Sequence, residues 1–134
     1  MKVVFDSNVL ISGYLFGGKP RIVIEYVKNK NLFLYSSKET IREFKRVLKY
    51  EKFKLKNSEI NNIIKDYISI SQCIKIANNI DLIKEDITDN VFLSLAIESK
   101  SDYIISGDRH ILSVKNNFHI PILTVSEFID IIME

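Results

Sequence analysis

The sequence predicts an α/β protein: a three-layer α/β/α sandwich around a mainly parallel sheet of about five strands, formed by residues 1–134 as a single domain. Three observations predict it. Short, nearly continuous apolar runs recur along the chain, as strands buried on both faces of a parallel sheet require. Between them lie segments whose apolar residues fall at helical spacing, giving the alternation of strand and helix. The third is scale. A chain of 134 residues with 46% apolar and 27% charged side chains buries a core without covalent or metal staples.

The elements follow in order. KVVFD at 2–6 opens as a strand, and Pro20 suits the first turn of a helix reaching about Asn29. LFLY at 32–35 is the second strand. Ser36 with Glu39 forms a capping box ahead of Ile41, Phe44, Val47 and Leu48. Asn57 or Ser58 starts a helix carrying Ile60, Ile63, Ile64, Tyr67 and Ile68, and CIKIA at 73–77 is the third strand. Asp86, Thr88 or Asp89 opens the helix that holds Phe92, Leu93, Ala96 and Ile97. DYIIS at 102–106 and HIPIL at 119–123 complete the sheet, and Thr124 with Glu127 caps a terminal helix.

Composition excludes several classes. No apolar stretch approaches the ~18–20 residues of a membrane span. Asp6 interrupts the first apolar run too early for a secretion signal. One cysteine, Cys73, rules out an internal disulfide and fits a reducing cytoplasm, where it is expected to act as a small buried apolar residue. Charge is unevenly spread: residues 1–60 carry 13 Lys/Arg against 6 Asp/Glu, and residues 61–134 carry 6 against 11. A basic face opposite an acidic cluster suits a protein that grips phosphates. A solvated helix surface explains the basic run equally well.

The acids carry the chemistry. Asp6 sits inside the apolar run FDSNVLIS, where an unpaired carboxylate is costly; it is either a helix cap facing solvent or a cation ligand. Asp108 follows YIISG and so ends the fourth strand, at the sheet edge where ligands bind in open parallel sheets. Asp89 shares a helix stripe with Phe92, Leu93 and Ala96, with dipole capping as the alternative. Glu43 lies at the margin of an apolar stripe, where a solvated surface role is the alternative. Two like charges 4 Å apart repel by roughly 4 kcal/mol at an effective dielectric of 20. Several carboxylates at one edge therefore need protons or a cation. All-oxygen ligation points to Mg²⁺ or Mn²⁺, which activates water and steadies charge on a phosphoryl group.

The series FDSNVLIS, TIREFKRVL, DITDNVFLSLAIESKSDYIISGDRHIL and IPILTVSEFI resembles the PIN domain, and within it the toxins of toxin–antitoxin pairs related to VapC. The likeness spans nearly the whole chain and is weakest between Lys49 and Asp81. It implies metal-dependent cleavage of single-stranded RNA that leaves a 5′-phosphate and a 3′-hydroxyl. The family's four acids match Asp6, Glu43, Asp89 and Asp108. Asn8 and Ser106 match its polar neighbours, while Asp86 and Asn90 complete a DxxDN pattern; these four are expected to fix carboxylate rotamers. Asp6, Asp89 and Asp108 are expected to organise one ion, with Glu43 holding a second or orienting the attacking water. Arg42, Lys45, Arg46 and Lys49 are expected along the RNA backbone. RNA, a cognate antitoxin and a homodimer are the implied partners. Ser101 departs from the alanine common before the strand aspartate. Two other readings stand beside this one: an inactive RNA- or antitoxin-binding module, and a phosphoacceptor or phosphatase. The latter lacks a second aspartate two residues after Asp6 and a lysine near a later strand end. Tyr14 and Phe16, beside Gly17-Gly18, are placed at the cleft rim, where a base can stack.

Overall fold

Val3 and Phe5 point to one face of the first strand and Val4 to the other, and all three are fully buried. That period-two burial of apolar residues is what a strand covered on both sides needs. The computed structural model describes residues 1–77 and 90–133. Its elements are β1 (Lys2–Phe5), α1 (Ser7–Ile11), α2 (Gly18–Lys28), β2 (Phe33–Ser36), α3 (Lys38–Leu48), α4 (Asn57–Ile70), β3 (Ser71–Cys73), α5 (Asn90–Ser99), β4 (Tyr103–Ile105), α6 (Arg109–Leu112), β5 (Ile122–Leu123) and α7 (Val125–Ile132). The strands pair in parallel in the order β3-β2-β1-β4-β5. From β1 the chain steps outward through β2 to β3, then resumes on the opposite side of β1 with β4 and β5. The direction reverses between β1 and β4, which makes that crevice the topological switch point.

One face of the sheet packs Val3, Phe5, Leu34 and Ile105 against Val9, Leu10, Phe44, Ile64, Tyr67 and Phe128, from α1, α3, α4 and α7. The other packs Val4 and Ile104 against Phe92, Leu93 and Ala96 of α5 and Ile111 of α6. The three predicted layers are present.

Several boundaries differ from the sequence expectations. The third strand was expected at 73–77 and lies at Ser71–Cys73, because α4 runs through Ile70 and the chain pairs at once with Leu34–Ser36. The capping box of α3 uses Ser37 and Thr40 in place of Ser36 and Glu39: the Ser37 hydroxyl accepts from the Thr40 amide at 3.1 Å. Ser36 still belongs to β2, so the helix cannot start there. Cys73 is exposed, since it ends the edge strand β3. The Thr124–Glu127 box is formed as expected, with reciprocal bonds of 2.9 and 3.2 Å.

A π-helical turn, Ser12–Phe16, extends α1 and was not anticipated. It is held closely. A Cβ on Gly13 would lie 2.2 Å from Ile24 Cδ1 and 3.1 Å from the Pro20 carbonyl oxygen, so a larger residue there would force the buried Ile24 side chain to move. Tyr14 turns inward and donates to Asp66 at 2.5 Å, and Asp66 also pairs with Lys28 at 3.3 Å. Phe16 points outward and is 71% exposed. Among the described residues, no helix is long and apolar enough to cross a membrane.

Candidate active site

β1 ends at Phe5, and the next amide, that of Asp6, still bonds to the Ile105 carbonyl of β4 at 3.1 Å. The ladder therefore delivers Asp6 to the switch point. Its Oδ1 accepts from the Val9 amide at 2.9 Å and caps α1, yet the residue is only 1% exposed. The cap is real, and it does not face solvent. Oδ2 accepts from the Ser106 hydroxyl at 2.5 Å. Ser106, fully buried just beyond β4, in turn accepts from the Asp108 amide at 3.0 Å. Asp108 Oδ1 caps α6 through the His110 and Ile111 amides at 2.7 and 3.3 Å, and its Oδ2 accepts from Asn8 Nδ2 at 3.4 Å. Asp6, Ser106, Asp108 and Asn8 thus form one connected set across adjacent strand ends.

Burial pushes the Asp6 carboxyl up to about 6, against the hydrogen bonds from Ser106 and Val9 that stabilise its charge; the nearby charge of Asp108 adds to the rise.

Glu43 comes from α3, whose fully buried neighbour Phe44 fixes the helix on the sheet. It is 7% exposed and paired in a bidentate fork with Arg46, Nε to Oε1 at 2.5 Å and Nη2 to Oε2 at 3.0 Å. Such forks are the stronger class of ion pair. Arg46 also donates to the Tyr50 hydroxyl at 2.9 Å. Asp6, Glu43 and Asp108 meet in a cleft of about 200 Å³, otherwise lined by Ser7, Asn8, Arg46, Val47 and Tyr50. A larger groove of about 560 Å³ along α2 holds Glu25 as its one carboxylate and gathers no such set.

Of the other expected site residues, Asp86 and Asp89 lie outside the described residues. Asn90, the first described residue of α5, is buried, and Val91 after it borders a second cleft with Glu39, Arg42, Glu43 and Arg46. The start of α5 therefore reaches Glu43. Arg42 on α3 and Lys49 just after it are exposed and Lys45 is half-buried, while the Arg46 guanidinium, expected along RNA, is engaged by Glu43. Among the described residues, no three acids, histidines or cysteines form a complete cation-binding group.

Sequence reasoning gave no role to Ser7 or Tyr50. The Ser7 hydroxyl is buried at the cleft with no hydrogen-bond partner among the described residues, an unusual state for a polar atom. The signal was present in DSN, a polar triplet inside an apolar run. An orphaned hydroxyl beside a desolvated carboxylate, with the oxygens of Asp6, Glu43 and Asp108 on one cleft, fits a hard divalent cation that keeps some of its waters.

Fold and site together define a class: an α/β/α domain that gathers carboxylates at the switch point of a parallel sheet. The chain belongs to the PIN domain family, whose sequence profile matches residues 2–110. PIN domains are generally nucleases and typically use divalent metal ions. Among solved structures, the chain resembles one from VapBC2 of Rickettsia felis, solved bound to a DNA fragment from their promoter. The TM-score is 0.66 at 12% identity over 92% of this chain and 98% of the other. No curated protein matches the sequence.

Proposed function

We propose that the protein is a Mg²⁺- or Mn²⁺-dependent endoribonuclease of the cytoplasm that cleaves single-stranded RNA, as the toxin of a toxin–antitoxin pair. The observation that carries this reading is the joining of Asp6 and Asp108 through Ser106 and Asn8, opposite Glu43 in one cleft. Asp6, Asp108, Glu43 and Asp89 would hold the ion, and Asp86 and Asn90 would support them. When bound, such an ion supplies Lewis acidity and lowers the pKa of water. The chain's own groups do the rest. Ser106 and the Val9 amide fix both oxygens of Asp6, and Asn8 and the α6 amides fix those of Asp108. Glu43 orients the attacking water, and Arg42, Lys45 and Lys49 hold backbone phosphates. Arg46 keeps a positive charge at the cleft wall, beside the scissile phosphate. A cognate antitoxin and a second copy of the chain are the proposed protein partners; the VapBC2 likeness supports the former.

The Glu43–Arg46 pair favours one rival, a PIN fold kept for binding with no turnover, because an acid the reaction needs is already neutralised. A phosphoacceptor role is disfavoured by the 1% exposure of Asp6. Incubating labelled single-stranded RNA with the purified protein separates the cases. Cleavage that needs Mg²⁺ or Mn²⁺, stops in EDTA and leaves 5′-phosphate ends is expected. RNA binding without cleavage across divalent metals would favour the rival, and cleavage unaffected by EDTA would refute metal dependence.

Removing the buried hydroxyl that links the two aspartates tests the site more finely. Ser106→Ala is expected to weaken Mn²⁺ binding by roughly 10- to 100-fold. It should lower stability by about 1–2 kcal/mol as a buried hydrogen bond is lost. Calorimetric titration with Mn²⁺ checks the first; equal affinity in both proteins would remove Ser106 from the site.

A further inference from the structure

The segment leaving α3 carries an arrangement the reaction above does not use. Tyr50 at the cleft and Phe53 hold their rings within 3° of parallel, with centroids 6.5 Å apart. Phe53 lies 6.4 Å from the ring of Phe16, at the end of the π-helical turn. Phe16 is 71% exposed and Tyr50 41%. Phe53, between them, is partly buried against the core, so the open rings are the two ends of the row; neighbouring exposed aromatics are informative in a way that a single exposed apolar residue is not. Their surroundings are basic. Lys52 Nζ is 5.2 Å from the centre of the Phe53 ring, and Arg46 binds the Tyr50 hydroxyl. Residues 42–56 hold seven lysines and arginines against two glutamates, and one of those, Glu43, is already paired.

We infer that Tyr50, Phe53 and Phe16 form a stacking track for successive bases of a single-stranded nucleic acid, with its phosphates along Lys49 and Lys52. The track runs from the acidic cleft, so a strand stacked on it presents a neighbouring phosphodiester to Asp6, Glu43 and Asp108. This rests on the reading of that cleft as a site of phosphodiester cleavage. Aromatic faces interleaved with cations are the chemistry that recognises single strands, because every base offers a π-face and every linkage a charge. A duplex has its bases stacked already and offers none. An apolar helix from a protein partner would cover the rings but leave the lysines unmatched, so charge favours the polyanion. Arg46 links the two regions, holding Glu43 with one side of its guanidinium and Tyr50 with the other.

The test uses the full chain and a short single-stranded RNA containing 2-aminopurine, kept intact in EDTA. Binding is expected to quench the probe. Phe16→Leu and Tyr50→Leu, both at exposed positions, are each expected to weaken binding roughly tenfold and reduce the quench. A duplex of the same sequence should bind at least about tenfold more weakly. Unchanged binding in both variants, or equal affinity for duplex and single strand, overturns the track. So would variants that bind RNA normally but lose self-association, which would assign the rings to a protein interface. Because the quench is read without metal, the two proposals fail separately. A protein that quenches the probe but never cleaves sinks the nuclease reading and supports the track; one that cleaves without quenching does the reverse.

Discussion

Asp6→Asn is expected to abolish cleavage while making the metal-free protein more stable. Losing a carboxylate that anchors the ion removes several kcal/mol of charge stabilisation, or roughly a thousandfold in rate. The stability gain follows from burial. In the folded chain the Asp6 carboxyl titrates at about 6, above its ordinary value of 3.8. Below about pH 4 the group is protonated in both folded and unfolded states, and ionisation costs nothing. As pH rises from about 4 to 6, the unfolded chain ionises while the folded one resists, so stability falls by up to about 3 kcal/mol and then stays level. Asparagine carries no charge and remains a good helix cap for α1, so it escapes this loss. The variant should therefore gain about 1–3 kcal/mol at pH 8 and nothing near pH 4. Metal reverses the order. Saturating Mn²⁺ at about 100 times its Kd should stabilise the wild type by about 2.7 kcal/mol, and the variant by much less. Denaturant titrations at pH 4.5, 6 and 8, with and without Mn²⁺, measure all of this. A variant less stable than wild type at pH 8, or equal metal stabilisation of both, would show that Asp6 is a structural cap alone.

The sequence made the two strand-end aspartates legible because they obey a local rule. Asp6 directly follows an apolar strand and Asp108 comes three residues after one, and a parallel sheet presents strand ends on one edge. Their adjacency was less visible, since it needs the order β3-β2-β1-β4-β5, a long-range pairing that no local pattern reports. Asp6 was framed as either a cap or a ligand, and the structure shows why that choice was too narrow: its two oxygens do different work, one facing Val9 and one facing Ser106. Ser37 displaced Ser36 as the cap because pairing with β3 extends β2 by a residue, and no local pattern reports a partner strand. Arg46 read as one basic residue among many. Its fork onto Glu43 depends on spacing of three along α3, which the sequence contains, and on the burial of Glu43, which it does not. The outward turn of Phe16 comes at the end of a π-helical turn, which no local pattern in SGYLF announces.

Phe44→Ala is expected to have the largest effect on stability. Phe44 is fully buried under α3, edge-on to Tyr67 at 5.4 Å and 87°, and 6.2 Å from Tyr14. Truncating a buried phenylalanine removes its transfer free energy and leaves a cavity, together about 3–5 kcal/mol. Against a total of about 5–15 kcal/mol that is a large fraction, and it lowers the melting temperature on the order of 10–20 °C. The effect should also reach the cleft. Phe44 follows Glu43 directly, and α3 meets the sheet through Phe44 and Leu48. If α3 shifts to fill the void, Glu43 moves relative to Asp6 and Asp108, which β1 and β4 hold independently. Cleavage at a temperature where the variant is still folded should then fall more than stability alone explains. Phe44→Leu keeps most of the volume and should lose only about 1–1.5 kcal/mol. Thermal melts of the two variants, with their cleavage rates at 15 °C, separate the contributions. An alanine variant within 1 kcal/mol of wild type, or one with full activity, would mean that α3 is anchored elsewhere and that Glu43 owes its position to Arg46.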